Sequence, residues 1–282
     1  MNIAVDLGGT NIRAGIVEGG KILQITSEPT MSDGSEDSVV RQICRILSPF
    51  VTECDGAIGI GVPGLVDPES GIVRDVVAIP SWKEVPLKSI LEKHFSRKVS
   101  VNNDCNCFAM GESRYGKAVG YSKSVFITLG TGVGCSLVID GKIYEGANLG
   151  AGEIGNIPYL DKDYEFYCSS RFFESKGSSG KELFEKAEDG CGEALLIWEE
   201  FGRNIGQLVS LVCYTYDPEI IVMGGSIANA FGYFEHEMHR NLKECFLYPN
   251  SLSRLKITTS DHKDMGLIGA AVLADLHNYY TI

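Results

Sequence analysis

Two short glycine-threonine turns, each wedged between strand-like runs, constrain this chain more than any other feature. Asp6-Leu7-Gly8-Gly9-Thr10 separates residues 2–7 from 12–18, and Leu129-Gly130-Thr131-Gly132-Val133-Gly134 separates 124–129 from 133–139. Glycine lets a backbone turn tightly and brings its amides within reach of an anion, and threonine adds a hydroxyl donor. One such turn reads equally well as plain hairpin chemistry. Two in one chain suggest a supersecondary unit used twice, once per domain, with both turns facing one phosphate ligand. Asp6, an acid at a strand end beside the first turn, is suited to hold Mg²⁺ directly or through water. A third glycine site, Gly224-Gly225 after a strand at 219–223, reads as a βα turn or as a place where a flat ring lies against bare backbone. The Walker P-loop and the Rossmann fingerprint are both absent, so the expected phosphate-binding mode is neither of those.

Periodicity supplies the rest of the frame. A strand at 21–28 follows the first hairpin, and Val39, Ile43, Ile46, Leu47 and Phe50 recur at helical spacing within 35–51. Strands at 56–62 and 98–102, a short helix near 86–95 and a helix from 104 to 115 complete a first α/β unit over residues 1–117. The second, 118–266, has a long helix near 191–215 with Trp198, Phe201, Ile205, Leu208, Val209 and Val212 on one face. A strand at 255–258 and a helix at 231–244 belong to it, and a closing helix over about 267–282 is expected to pack back on the first domain. The pattern predicts two α/β domains with a cleft between them.

The 37 acidic and 25 basic side chains give a net charge of −12, which argues against a nucleic-acid footprint. No apolar run approaches the about 18 residues a membrane helix needs. No charged leader precedes an apolar stretch, so a cytoplasmic location is expected. Nine cysteines without C-x-x-C spacing read as reduced thiols.

The turns occur in order with Gly61-Val62-Pro63-Gly64-Leu65-Val66-Asp67, with Asn103-Asp104 opening a helix, and with Gly152-Glu153-Ile154-Gly155. As a set they resemble the ROK family of repressors, open reading frames and sugar kinases, from residue 2 to about 275. The resemblance implies the actin/hexokinase-like (ribonuclease H-like) two-domain ATPase fold, ATP with Mg²⁺, and phosphorylation of the primary hydroxyl of a hexose or hexosamine, glucose first. It also implies a homodimer. Carried onto matching positions, Asp104 is the general base, and Gly64, Asn103, Glu153, Asn156 and Glu174 (the last in Glu174-x-x-x-Ser178) surround the sugar. Gly8, Gly9, Thr10, Gly130, Thr131 and Gly132 take the phosphates, and Gly224 and Gly225 the adenosine. From the residues alone, Asn-Asp at a helix start is equally suited to N-capping, and Glu153 and Glu174 read equally as solvated loop acids. Trp82 reads as a sugar-side or a core residue, and Cys105 and Cys107 as ordinary helix residues.

The chain departs from the family pattern at two linked places. Asn156 stands where members carry a histidine, and Tyr167-Cys168-Ser169-Ser170-Arg171-Phe172-Phe173 has one cysteine where they have a cluster. Those groups hold a structural zinc, which needs four N or S ligands, so no zinc is expected. A repressor would need a helix-turn-helix before the first turn, where five residues stand, so DNA binding is not expected. The second reading is a catalytically silent sugar-binding sensor, supported by the change at Asn156 and opposed by the intact turns and Asp104.

Overall fold

The computed structural model describes residues 1–275, which fall into two compact units. The first comprises Met1–Gly120, Leu137–Ala151 and, of the described residues, 262–275; the second comprises Tyr121–Ser136 and Gly152–Asp261. Among the described residues no helix is long and apolar enough to cross a membrane.

In the first unit, β1 (Asn2–Leu7), β2 (Asn11–Glu18) and β3 (Lys21–Pro29) form an antiparallel meander. Helix α1 (Glu36–Glu53) follows, with Ser35 accepting a hydrogen bond from Ser38 N as its N-cap and Ile43, Leu47 and Phe50 on its buried face. Strand β4 (Ile58–Val62) runs parallel to β1, and every residue of it is buried, as expected of a strand covered on both faces. A small antiparallel sheet of β5 (Leu65–Asp67), β6 (Ile72–Arg74) and β7 (Glu84–Val85) leads to α2 (Leu87–Phe95). Its short strands have too few residues for periodicity to show in the sequence. Strand β8 (Val99–Asn103), parallel to β4, runs directly into α3 (Asp104–Tyr115). The main sheet has the order β3-β2-β1-β4-β8. Trp82 is wholly buried in the core of this unit, which resolves its double reading in favour of packing.

The second sheet repeats the order. Strand β9 (Lys123–Leu129) lies between β10 (Val133–Ile139) and a later strand, and β11 (Lys142–Ile143) pairs with the end of β10 in the segment that groups with the first unit. A two-stranded ribbon, β12 (Pro158–Tyr159) and β13 (Lys162–Asp163), precedes four helices: α4 (Tyr164–Cys168), α5 (Ser170–Ser175), α6 (Gly180–Glu188) and the long α7 (Gly192–Tyr216). Strand β14 (Ile220–Gly224) is parallel to β9, α8 (Phe231–Cys245) packs along α7, and α9 (Pro249–Leu252) leads to β15 (Lys256–Thr259), parallel to β14. The order β11-β10-β9-β14-β15 matches that of the first sheet strand for strand. Phe172, Phe173, Trp198, Phe201 and Phe234 interlock as the aromatic core of this unit.

Helix α10 (Met265–Asp275) returns to the first unit, where it packs on α3, β1 and β4. It is apolar around its whole circumference, as a helix enclosed on all sides must be. The part of the expected closing helix beyond Asp275 lies outside the described residues. The contact with α3 is backbone to backbone: a Cβ added at Gly269 would sit 1.6 Å from Cys107 O. Gly269→Ala therefore forces the two helices apart, and overpacking of this kind costs about 1–3 kcal/mol or more. The expected outcome is a clear fall in Tm by thermal denaturation; an unchanged Tm would mean that α10 does not seat this closely.

Candidate active site

The parallel strands of the first unit end in one row. In register, Asp6 lies across from Gly61, Gly61 from Asn102, and Val62 from Asn103. The carboxyl ends of adjacent parallel strands are where open α/β sheets bind ligands. At the end of β1 the glycine turn is closed by Gly8 N donating to Asn11 O (2.9 Å). Thr30, just past β3, donates its hydroxyl to Gly8 O (2.7 Å) and its amide to Thr10 O (2.9 Å), leaving Thr10 exposed at the tip. The partly buried Asp6 is paired with Arg13, its register partner on β2, and Arg13 also pairs with Asp264 just before α10. Sequence reasoning found Asp6 and missed both of these partners.

Gly64 occupies the turn after β4 with φ +89°, and its carbonyl accepts a hydrogen bond from Asn103 Nδ2 (3.0 Å). Asn103 Oδ1 accepts from the amides of Cys105 (2.9 Å) and Asn106 (3.3 Å), so Asn103 is the N-cap of α3. The capping reading considered for Asp104 thus belongs to its neighbour. Asp104 is the first helical residue, partly buried, with Oδ1 accepting from Cys105 N (2.8 Å). Behind this corner lie two residues the sequence did not disclose as a pair. Asn102 Nδ2 donates to Glu145 Oε1 (3.1 Å), and both side chains are buried. Burial raises the Glu145 pKa above the usual glutamate value; the charge of Asp67 adds to this, and the Asn102 hydrogen bond works against it.

In the second unit the corresponding turn is closed by Gly130 N donating to Gly132 O (3.1 Å), and Ser170 N at the start of α5 donates to Gly130 O (2.8 Å). Thr131 is exposed, like Thr10. Gly224 pairs across to Thr128, and Gly225 (φ +87°) lies so close to β9 that a Cβ there would stand 2.3 Å from Leu129 O. Beside these glycines is a cavity of 470 Å³ whose lining includes Gly130, Thr131, Lys181, Phe184, Trp198 and Asn229. That size and mix, an apolar wall with a few polar groups, is typical of small-ligand sites. Trp198 was legible as a buried helix position; Lys181, Phe184 and Asn229 come from segments with no motif of their own.

Glu153 accepts from Asn156 Nδ2 (3.0 Å), and both residues are exposed. Partial desolvation of the Glu153 carboxyl, followed by the charge of Glu165, raises its pKa, while Asn156 offsets this. Glu165 itself accepts from Val133 N (3.3 Å) and pairs with Arg171 (3.3 Å) at the edge of the glycine turn. Glu174 is exposed on α5, with Ser170 Oγ donating to its carboxylate (3.0 Å). The structure thus brings together Asp6, Gly64, Asn103 and Asp104 in one unit, and in the other the glycines of both turns, with Glu153 beside Asn156.

The β12–β13 ribbon is held by aromatic contacts. Tyr159 stacks on Tyr164 at 4.4 Å, receives the edge of Tyr167 at 5.4 Å, and donates its hydroxyl to Asn204 (3.2 Å). Burial pushes the Tyr159 phenol up to about 12. Cys168 is fully buried, with its thiol pKa raised by burial. Among the described residues, no group of three or more His, Cys, Asp or Glu is placed to hold a metal ion.

Two α/β units with the same sheet order, each opening on a glycine turn, define an actin/hexokinase-like protein. The chain belongs to the ROK family, whose model matches residues 2–276. It is 30% identical to the glucokinase of Thermotoga maritima, with 95% of each chain covered. It is 29% identical to the N-acetyl-D-glucosamine kinase of Vibrio parahaemolyticus, covering 97% of this chain and 99% of that one. The structure of a ROK family glucokinase from Streptomyces griseus, in complex with glucose and AMPPNP, superposes with a TM-score of 0.85 at 26% identity, covering 97% and 99% of the two chains.

The raised pKa of Glu145 has a stability consequence. Between the unfolded glutamate pKa, about 4.3, and the higher folded value, the native state holds the proton more tightly than the unfolded chain. Stability therefore falls as pH rises through that window and stays reduced above it. Glu145→Gln, which keeps the acceptor for Asn102 and has no charge, is expected to raise Tm at neutral pH and to leave it unchanged below the window. Equal Tm differences at both pH values would contradict this.

Proposed function

We propose that the chain is an ATP-dependent sugar kinase, transferring the γ-phosphoryl group to the primary hydroxyl of a hexose or hexosamine with Asp104 as general base. The observation that carries the reading is the family match over nearly the whole chain, to relatives named as glucose and N-acetylglucosamine kinases. The position of Asp104 at the row of strand ends supports its role, because Asn103 has taken over the capping duty.

In this reading Asp104 accepts the proton of the sugar hydroxyl as its oxygen bonds to the γ-phosphorus. The bond from that phosphorus to the bridging oxygen breaks, and ADP leaves. Gly64, Asn103, Glu153, Asn156 and Glu174 hold the remaining sugar hydroxyls. Carboxylates bind hydroxyls more strongly than neutral acceptors do. The turns of Gly8, Gly9 and Thr10 and of Gly130, Thr131 and Gly132 face the phosphates, with the amides of Gly9, Thr10, Thr131 and Gly132 as donors because those of Gly8 and Gly130 close the turns. The cavity beside Gly224 and Gly225 receives the adenosine. Asp6 fits a Mg²⁺ ion held through water, since Arg13 already bonds its carboxylate. Such an ion would neutralise phosphate charge. Glucose is the first candidate substrate, with N-acetylglucosamine next.

The reading includes no structural zinc. Asn156 is engaged with Glu153, and Cys168 is buried without a second cysteine near it in sequence. Elemental analysis of the purified protein is expected to find no stoichiometric zinc, and one zinc per chain would overturn this. A homodimer, which the family resemblance implies, is expected as twice the chain mass in sedimentation.

The decisive experiment is ADP release with ATP and Mg²⁺ against a panel of hexoses, hexosamines and β-glucosides. Turnover is expected with at least one sugar. Asp104→Asn should lower kcat by about 10²–10⁴-fold, the usual worth of a general base, with Tm held because the Asn103 cap remains. Full turnover in that variant would remove Asp104 from the role. A sugar that raises Tm in the wild type without any turnover would establish the sensor reading instead.

A further inference from the structure

The geometry points to Glu145 as a positioning residue for Asp104: its carboxylate fixes the Asn102 amide, and that amide fixes the first turn of α3. The inference rests on the kinase reading for its catalytic consequence.

Asn102 is the residue before the cap, and its side chain makes three hydrogen bonds. Oδ1 accepts from Asn103 N (2.7 Å) and from Asn106 Nδ2 (2.9 Å), while Nδ2 donates to Glu145 Oε1 (3.1 Å). If the amide turned over, its NH₂ would face the donors of Asn103 and Asn106, so one orientation alone satisfies all the groups. That orientation places an N–H toward position 145, where only an acceptor can meet it. Asn102 and Glu145 are 6% and 8% exposed, so water is a poor substitute for either partner.

The first turn of α3 is consequently gripped at three points around Asp104. Asn103 is tied to Gly64 O, Asn106 to Asn102, and Asn102 to Glu145, a residue delivered by the 137–151 segment. An acid is an expensive choice for a buried hydrogen-bond acceptor, and Asp67 nearby makes it more so. Stability alone does not account for it. A shift of about 1 Å in a reacting group costs about 100-fold in rate, which gives the corner a reason to be rigid.

The test uses Glu145→Ala, Glu145→Gln and Asn102→Ala in the full chain. Hydrogen exchange on the ligand-free protein should show faster exchange at the amides of residues 103–106 in Glu145→Ala and wild-type protection in Glu145→Gln. With the best sugar substrate, kcat should fall about 10- to 100-fold in Glu145→Ala, with KM for ATP unchanged and Glu145→Gln within about threefold of wild type. The double variant Glu145→Ala/Asn102→Ala should be no worse than Glu145→Ala, since the two act as one unit. Wild-type kcat in Glu145→Ala, or equal damage in the alanine and glutamine variants, overturns the assignment. Should Glu145→Ala fail to fold, Asn102→Asp sets two acids together, and adding Glu145→Gln to it reverses donor and acceptor. Recovery of kcat in that pair is then expected, and its absence overturns the assignment. A wild type that turns over no sugar sinks the kinase reading, while the exchange data still decide whether Glu145 grips the corner.

Discussion

The direct seating of α10 on α3 is the contact on which the arrangement of the first unit depends. Where Gly269 meets the carbonyl of Cys107, two helices touch through their backbones. Packing at that distance leaves no slack for either helix to shift along the other. Helix α3 carries Asn103 and Asp104 at its start, and α10 lies against β1 and β4, whose ends carry Asp6 and the Gly64 turn. One apolar helix thus relates every candidate residue of that unit to the others. Its own amino end is tied in through Asp264 and Arg13, which in turn pairs with Asp6.

Each unit also places an acid in unfavourable surroundings. Glu145 is buried and faces Asp67, and Glu153 lies near Glu165. Each is compensated by an amide, Asn102 in one case and Asn156 in the other, rather than by a cation. Amide partners leave negative charge in place while fixing the geometry of the carboxylate. Such placement contributes less to the stability of the protein than a neutral residue would.

The legible part of the fold was the part written locally. Glycine turns, the heptad-like face of α1 and the apolar stripe of α7 all declare themselves within a short window, and the boundaries of β1, β9 and α3 follow from them. Very short elements were not legible: β5 to β7 and the β12–β13 ribbon have two or three residues each. Helices α5 and α6 lie in a Gly- and Ser-rich stretch that reads as loop until Ser179 is seen to form a capping box with Glu182. At the candidate site, Asp6, Asn103 and Asp104 could be picked from motifs. The division of labour between the last two could not, because cap and first helical residue differ by one position and by backbone angles alone. Pairs distant in sequence were out of reach altogether, as with Arg13 and Asp264 or Asn102 and Glu145.

The late place of α10 in the chain has a consequence for biosynthesis. The first unit draws its strands from the opening of the sequence, yet the helix that covers β1 and β4 is made after nearly all of the second unit. During translation the earliest sheet waits with an uncovered apolar face until the final stretch emerges. Domains generally mature in the order they are synthesised; here the unit begun first is the one finished last. A ribosome that stalls or terminates before residue 265 releases a chain whose leading sheet is a ready target for chaperones and proteases.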